Sequence, residues 1–169
     1  MLNKINTAIE RIKSNNLPIK IISHFDTDGI TSAAIFSRAM QRFGKSFTLQ
    51  IIKSLEENFI KSLPEDHLII FLDLASGSLK YLKEKKNPII IFDHHELSQE
   101  IPSNVLMVNP ILENQGSLCS AAICYLFAKS LSEQNKDLAN LAVIGMVGDN
   151  HDQNIGKKYD EIIKDAKIT

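Results

Sequence analysis

Acidic and histidine side chains directly follow apolar runs at four places in this 169-residue sequence. These side chains are His24, Asp26, Asp28, Asp73, Asp93, His94, His95 and Asp149. Carboxylates brought together repel one another and reduce stability unless a cation neutralises them. Carboxylate oxygens beside imidazole nitrogens are ligands for divalent first-row metals. The residue types therefore point to metal-dependent chemistry.

The ligand set limits which metals are expected. It offers oxygen and nitrogen without thiolate, which disfavours a zinc–cysteine structural site. Imidazole ligation favours Mn²⁺ over Mg²⁺, with Mg²⁺ as the alternative. Five aspartates with one or two histidines exceed the needs of one ion, so two divalent ions that share a bridging carboxylate are predicted. Two metals ~3.5–4 Å apart form a known clamp for in-line phosphoryl displacement.

Apolar runs that alternate with helical patterns must position these residues. Strands are predicted at 19–23, 46–52, 67–73, 88–93 and 104–109. Helices are predicted at 31–43, 55–63, 78–86, 117–132 and 136–149, with polar helices at both termini. Strands this rich in Val, Ile, Leu and Phe indicate an α/β fold, with a parallel sheet of about five strands and helices on both faces. Because ligands bind outside the carboxyl ends of such strands, the acidic and histidine residues are expected at one sheet edge.

Composition argues against several other classes of protein. A chain with 44% apolar residues is expected to form one domain with a sizeable core. The net charge of −1 gives no general attraction to nucleic acid or to a membrane surface, so any such partner must be bound locally. No apolar run approaches the ~20 residues that span a bilayer. The N-terminus lacks the apolar segment of a signal peptide, and two cysteines suggest no disulfide framework, so we expect a cytoplasmic prokaryotic protein.

Single residues of the set also have ordinary structural explanations. Asp73 alone fits a turn residue or a helix cap as well as it fits a ligand. His67 and His151 are expected to be ordinary polar residues, and the lysines of 83–86 to form a solvated helix end. Only the combination of several groups favours a metal centre.

The order of the motifs resembles the DHH phosphoesterase superfamily. "SHFDTDG" comes first, followed by the strand-terminal aspartate of "IIFLD", then by "DHH", and finally by "GD" after an apolar helix. The segments "SHFDTDGITSAAI" and "AVIGMVGDN" look more like archaeal RecJ-like single-strand exonucleases than like family II pyrophosphatases or oligoribonucleases. The resemblance implies a DHH catalytic domain over residues 1–169, with a role in DNA replication or repair.

The resemblance also implies a role for each residue of the set. The implied metal ligands are Asp26, Asp28, Asp73, His94 and Asp149, with His24 as a further candidate. Asp73 would bridge the two ions, and His95 would lie beside the substrate phosphate and act in catalysis. Asp93 would orient a histidine and fix its tautomer. Gly116 and Ser117 would bind phosphate through backbone N–H groups, although Ser117 fits a plain helix cap equally well.

The implied reaction is hydrolysis of a phosphodiester. A water activated by two metal ions would attack single-stranded DNA or RNA, or a short oligonucleotide. A GINS-type replication complex is an implied partner, and a membrane is not. Family enzymes carry a second, smaller substrate-binding domain, whereas only residues 150–169 follow Asp149. We therefore expect a fragment or a standalone lobe with weak processive activity of its own.

Three other functions stay open at this point. A haloacid-dehalogenase-like phosphatase would use Asp26 of "FDTDGIT" as a covalent nucleophile with one Mg²⁺, but this leaves Asp73 and "DHH" unexplained. A small-substrate phosphatase or pyrophosphatase of the DHH type would cleave a phosphate ester or anhydride. A replication-associated scaffold would need no activity, although such proteins usually lose the metal residues that this chain retains.

Overall fold

A five-stranded parallel sheet forms the centre of the protein, whose computed structural model describes residues 1–113, 118–149 and 157–168. The strands are β1 (Ile19–His24), β2 (Phe47–Ile52), β3 (Leu68–Leu72), β4 (Ile89–Phe92) and β5 (Val105–Val108). They lie in the order β2-β1-β3-β4-β5 across the sheet, and every pair is parallel. The predicted α/β class and all five predicted strands are confirmed.

Helices connect the strands and flank the sheet. The α-helices of the described residues are α1 (Leu2–Ser14), α2 (Thr27–Arg42), α3 (Glu57–Ser62), α4 (Leu79–Leu82), α5 (Ser120–Leu131), α6 (Ala139–Gly148) and α7 (Lys157–Ile168). Short 3₁₀ turns occupy Ser76–Ser78, Pro110–Glu113 and Glu133–Leu138. No helix in these ranges is long and apolar enough to cross a membrane.

Four predicted helices are shorter in the structure, among them those expected at 78–86 and 136–149. The helix expected at 78–86 ends at Leu82, and the chain turns at Lys83 and Glu84 before it enters β4. The prediction of a solvated lysine end is wrong for Lys85, which is buried and donates to the carbonyl of Leu63 at 2.8 Å. The helix expected at 136–149 begins at Ala139, because the preceding segment forms a 3₁₀ turn instead.

Side chains that alternate along the strands build one core on each face of the sheet. Helices α1, α2, α5, α6 and α7 cover the larger face, where Phe36, Phe92 and Phe127 pack together with ring centroids 4.7 to 5.2 Å apart. The short helices α3 and α4 cover the other face, which holds Phe71 and its neighbours. Strand β2 at the sheet edge is mostly exposed, unlike the four others.

The strand order determines where a ligand can enter. The chain leaves β1 for β2 on one side of it and then returns to β3 on the other side. At such a reversal of strand order the connections diverge, and a crevice opens beyond the carboxyl ends of the strands. The segments after β1, β3 and β4 carry the predicted site residues, so the fold brings them to this crevice.

Candidate metal centre

The turn after β1 brings the first two aspartates to the start of α2. Asp26 is the N-cap of α2, and its Oδ1 accepts from the N–H of Gly29 at 2.9 Å. A Cβ at Gly29 would lie less than 3.0 Å from the carbonyl oxygen of His24, so only glycine lets α2 begin this close to β1. Asp28 follows in the first turn and is buried.

Asp73 occupies the end of β3 in an unusual backbone conformation. Its φ is +60°, which is uncommon for a residue other than glycine, and its N–H donates to the carbonyl of Phe92 at 2.8 Å. The side chain is 2% exposed, and neither carboxylate oxygen has a hydrogen-bond partner of standard geometry among the described residues. Desolvation of a buried carboxylate without such partners costs on the order of several kcal/mol of folding free energy, unless a nearby cation compensates its charge.

Two imidazoles flank Asp73. The Nδ1 of His24 lies 3.5 Å from Asp73 Oδ2 and 2.8 Å from Asp26 Oδ2. The Nε2 of His94 lies 3.5 Å from Asp73 Oδ1, 3.5 Å from Asp149 Oδ2 and 3.7 Å from Asp28 Oδ2. Each imidazole nitrogen therefore faces at least two carboxylates, and Asp73 lies between the two clusters.

Among the residues that the structure describes, three groups of ligand atoms lie close enough to hold a metal ion. In each group the atoms are within 4.8 Å of one another, and the groups are His24–Asp26–Asp73, Asp28–His94–Asp149 and Asp73–His94–His95. Asp73 and His94 each belong to two of them. The nitrogen and oxygen donor set suits a divalent ion, and the two buried oxygens of Asp73 supply the negative charge that such an ion would neutralise.

Asp28 is held from behind by the first turn of α5. Its Oδ2 accepts from the N–H of Ser120 at 2.7 Å, and its Oδ1 accepts from the N–H of Ala121 at 2.8 Å. Burial and then the charge of Asp73 raise the pKa of Asp28 to about 7, although the two backbone N–H groups oppose the rise. A metal ion would reverse that effect, because it favours the ionised carboxylate.

Close packing of α6 places Asp149 at the centre. A Cβ at Gly145 would lie less than 3.0 Å from Ala121 Cβ, and one at Gly148 would lie less than 3.0 Å from Thr27 Cβ. The absence of side chains at both positions lets α6 approach α2 and α5 closely. Asp149 is the C-cap of α6, so the negative end of this helix also favours a cation there.

Asp93 and His95 form a separate pair beside the centre. Asp93 is fully buried, and its oxygens accept from Ser76 N–H at 2.9 Å, His94 N–H at 2.8 Å and His95 Nδ1 at 2.7 Å. Burial would raise the pKa of Asp93, but its hydrogen bonds, first that from His95, lower it to about 2. The same hydrogen bond raises the pKa of His95 to about 9. The His95 side chain is half-exposed and lines the adjacent cavity.

A cavity of about 340 Å³ opens beside these residues. His24, Asp73 and His95 line it together with Lys53, Ser54 and Ser78, which sequence reasoning did not single out. The position of Lys53 directly after β2 could have identified it, because β2 ends at the same sheet edge.

The remaining sequence predictions concern Gly116, Ser117, His151 and His67. Gly116, Ser117 and His151 lie outside the described residues. His67 pairs with the exposed Asp66 at 2.7 Å, in keeping with an ordinary surface residue.

The family model of the DHH family, N-terminal domain, matches residues 18–146, so the chain belongs to the DHH family. An uncharacterized protein of Methanocaldococcus jannaschii is 29% identical over 160 residues, which cover 88% of this chain and 37% of that protein. The single-stranded-DNA-specific exonuclease RecJ of Bacillus subtilis is 28% identical over 171 residues, which cover 87% of this chain and 22% of RecJ. The chain thus spans well under half the length of both relatives.

A solved structure of a RecJ exonuclease has the same fold. The crystal structure of exonuclease RecJ bound to manganese superposes with a TM-score of 0.75 at 21% identity, over 88% of this chain and 43% of that one. The expected resemblance to the DHH superfamily is confirmed. The chain is therefore a DHH-family domain with a candidate site for a divalent metal.

Proposed function

We propose that this chain is the metal-dependent catalytic lobe of a phosphodiester hydrolase that cleaves single-stranded DNA or RNA, or short oligonucleotides. The position of Asp73 carries the proposal. Its buried carboxylate, with no hydrogen bond of standard geometry among the described residues, lies 3.5 Å from both His24 and His94. A carboxylate shared between two ligand groups suits an anion that bridges two ions.

We assign the residues around Asp73 to two sets of ligands. One ion would be held by His24, Asp26 and Asp73, and the other by Asp28, His94 and Asp149 together with Asp73, which lies 3.5 Å from His94. The imidazoles favour Mn²⁺, and Mg²⁺ is the alternative. Ions bound by these residues would lower the pKa of a water molecule that attacks phosphorus, and they would offset the negative charge that develops on the phosphoryl oxygens.

His95 is the proposed proton donor. The hydrogen bond from Nδ1 to Asp93, 2.7 Å long, fixes the ring and raises the pKa of His95, which favours the protonated imidazole. The half-exposed ring borders the cavity, from which it would donate a proton to a phosphate oxygen or to the leaving group. Lys53, Ser54 and Ser78 line the same cavity. They would place one positive charge and two hydroxyl groups beside the phosphates of the bound nucleic-acid strand.

The proposal is tested by measuring the metal content of the protein and by analysing the products that it releases from labelled oligonucleotides. Short DNA and RNA labelled at the 5′ or the 3′ end are incubated with the chain and Mn²⁺, and the products are resolved by length. We expect stepwise shortening of single strands, and its loss in Asp73→Ala. Full activity of Asp73→Ala with saturating metal would contradict the assignment, and a trapped aspartyl-phosphate on Asp26 with one bound Mg²⁺ would favour the haloacid-dehalogenase-like reaction. A GINS-type partner stays a prediction, which a pull-down would test.

A further inference from the structure

The first turn of α5 receives its hydrogen-bond caps from two other helices. The side chain at its N-cap, Cys119, makes no capping hydrogen bond. The N–H groups of Ser120 and Ala121 donate to Asp28 at the start of α2. The N–H of Cys119 donates to the hydroxyl of Tyr159 in α7 at 2.9 Å. Three consecutive N–H groups are thus fixed from outside the helix, two by a candidate metal ligand and one by Tyr159.

We propose that Tyr159 is a positioning residue for the metal centre, which acts through the start of α5 on the carboxylate of Asp28. The inference rests on the proposed metal-dependent function. Tyr159 is 1% exposed and Cys119 is fully buried, so bulk water has no access to the hydrogen bond between them. The family match ends at residue 146, so α7 lies beyond the matched segment.

The route from Tyr159 to the metal site is short and rigid. Loss of the hydroxyl would leave the buried N–H of Cys119 without this acceptor, which is unfavourable enough to make the turn shift. The next two peptide groups would move with it, and both hold Asp28. Removal of a residue that orients a metal ligand typically changes metal affinity by about 10–100-fold. Tyr159 acts on Asp28 only through the start of α5, so we expect its removal to weaken metal binding by about three- to tenfold.

Other contacts keep α7 in place when this hydroxyl is removed. Tyr125 in the middle of α5 donates to Asp165 at 2.6 Å, and Lys129 contacts Asp165 at 2.7 Å and Glu161 at 2.6 Å. The pair Tyr125–Asp165 therefore offers a matched control. Tyr125→Phe also removes one buried tyrosine hydroxyl between α5 and α7, but it leaves the first turn of α5 untouched.

The experiment compares Mn²⁺ binding by wild type, Tyr159→Phe and Tyr125→Phe. Calorimetric titration gives the dissociation constants, and thermal unfolding in EDTA gives the stability of each metal-free protein. We expect Tyr159→Phe to weaken the binding of at least one Mn²⁺ by about three- to tenfold. Tyr125→Phe should bind Mn²⁺ with an affinity within about twofold of wild type, even if its metal-free stability falls as much as that of Tyr159→Phe.

Each other outcome rejects a defined part of the account. Equal affinity in Tyr159→Phe and wild type would overturn the role of Tyr159, and so would equal weakening in both variants, since that is a general loss of stability. Absence of Mn²⁺ binding by wild type would overturn the metal centre and this role with it. Mn²⁺ binding that depends on Tyr159 in a protein without hydrolytic activity would overturn the proposed reaction alone.

Discussion

Replacing Asp73 by asparagine separates the two effects that this buried carboxylate has on the protein. Without metal, the carboxylate lies buried near Asp28 with no hydrogen bond of standard geometry among the described residues, so it should destabilise the fold. With metal, it is the proposed shared ligand. Asparagine keeps the shape of the side chain and tolerates the φ of +60° at this position. Asp73→Ala would add backbone strain to the loss of charge.

The pKa of Asp28 allows the size of the first effect to be worked out. Burial and then the charge of Asp73 raise this pKa from 3.8 to about 7, which corresponds to about 4 kcal/mol against the ionised form. Burial is the larger cause, so we assign about 1–2 kcal/mol of this to Asp73. An acid whose pKa is raised by folding destabilises the fold where it is ionised, so the gain from Asp73→Asn should be full above pH 7 and vanish near pH 4.

Urea unfolding at pH 8 measures both effects. In EDTA, we expect Asp73→Asn to exceed wild type by about 1–2 kcal/mol in the free energy of unfolding. In Mn²⁺ at 100 times the wild-type dissociation constants, wild type should gain about 2.7 kcal/mol for each of its two ions and Asp73→Asn much less in total, which reverses the order. Hydrolysis of a labelled oligonucleotide should fall by about 10³-fold or more, as expected when several kcal/mol of charge stabilisation are lost.

The result that refutes this reasoning is equally clear. If metal-free Asp73→Asn were less stable than wild type and gained as much stability from Mn²⁺, then Asp73 would be a structural residue and not a shared ligand.

Two further predictions concern the residues that pack around the centre. Gly145→Ala places a methyl group less than 3.0 Å from Ala121 Cβ, so chemical unfolding should show about 1–3 kcal/mol of destabilisation, whereas Gly77→Ala, which meets nothing within 4 Å, should stay within about 0.5 kcal/mol. Asp93→Asn removes the main cause of the raised pKa of His95, so the alkaline limb of the kcat profile should move from about 9 toward the ordinary histidine value of 6.5.

Each of these predictions has a contradicting result. Equal stability of the two alanine variants would mean that α6 does not need its close approach at Gly145. An alkaline limb that stays near pH 9 in Asp93→Asn would show that His95 is not the proton donor.

The sequence was sufficient for the sheet and for the residues at its edge. Asp73 and His94 follow buried strands, and parallel strands present their carboxyl ends at one edge, so their proximity follows from topology. The pair Gly145 and Gly148 was not singled out from the sequence, although small residues spaced along an apolar helix allow close packing. Such spacing indicates that the helix packs closely against a neighbouring helix, but it does not identify that neighbour.

Contacts between distant segments were beyond sequence reasoning. Asp28 accepts hydrogen bonds from Ser120 and Ala121, which lie 92 and 93 positions further along the chain. Nothing in the local pattern of either segment requires these contacts. The same holds for Tyr159 and Cys119, and for the buried Lys85, whose ammonium group finds a carbonyl 22 positions away. These contacts depend on how helices pack, which propensity and spacing do not determine.

The number of Mn²⁺ ions bound per chain tests the central claim most directly. Titration of the metal-free protein, with the bound ions counted by elemental analysis after removal of excess metal, gives this number. The arrangement of His24, Asp26, Asp28, Asp73, His94 and Asp149 predicts two ions in wild type and fewer in Asp73→Asn. One ion or none in wild type, or two ions retained in Asp73→Asn, would contradict a centre in which Asp73 joins two metals.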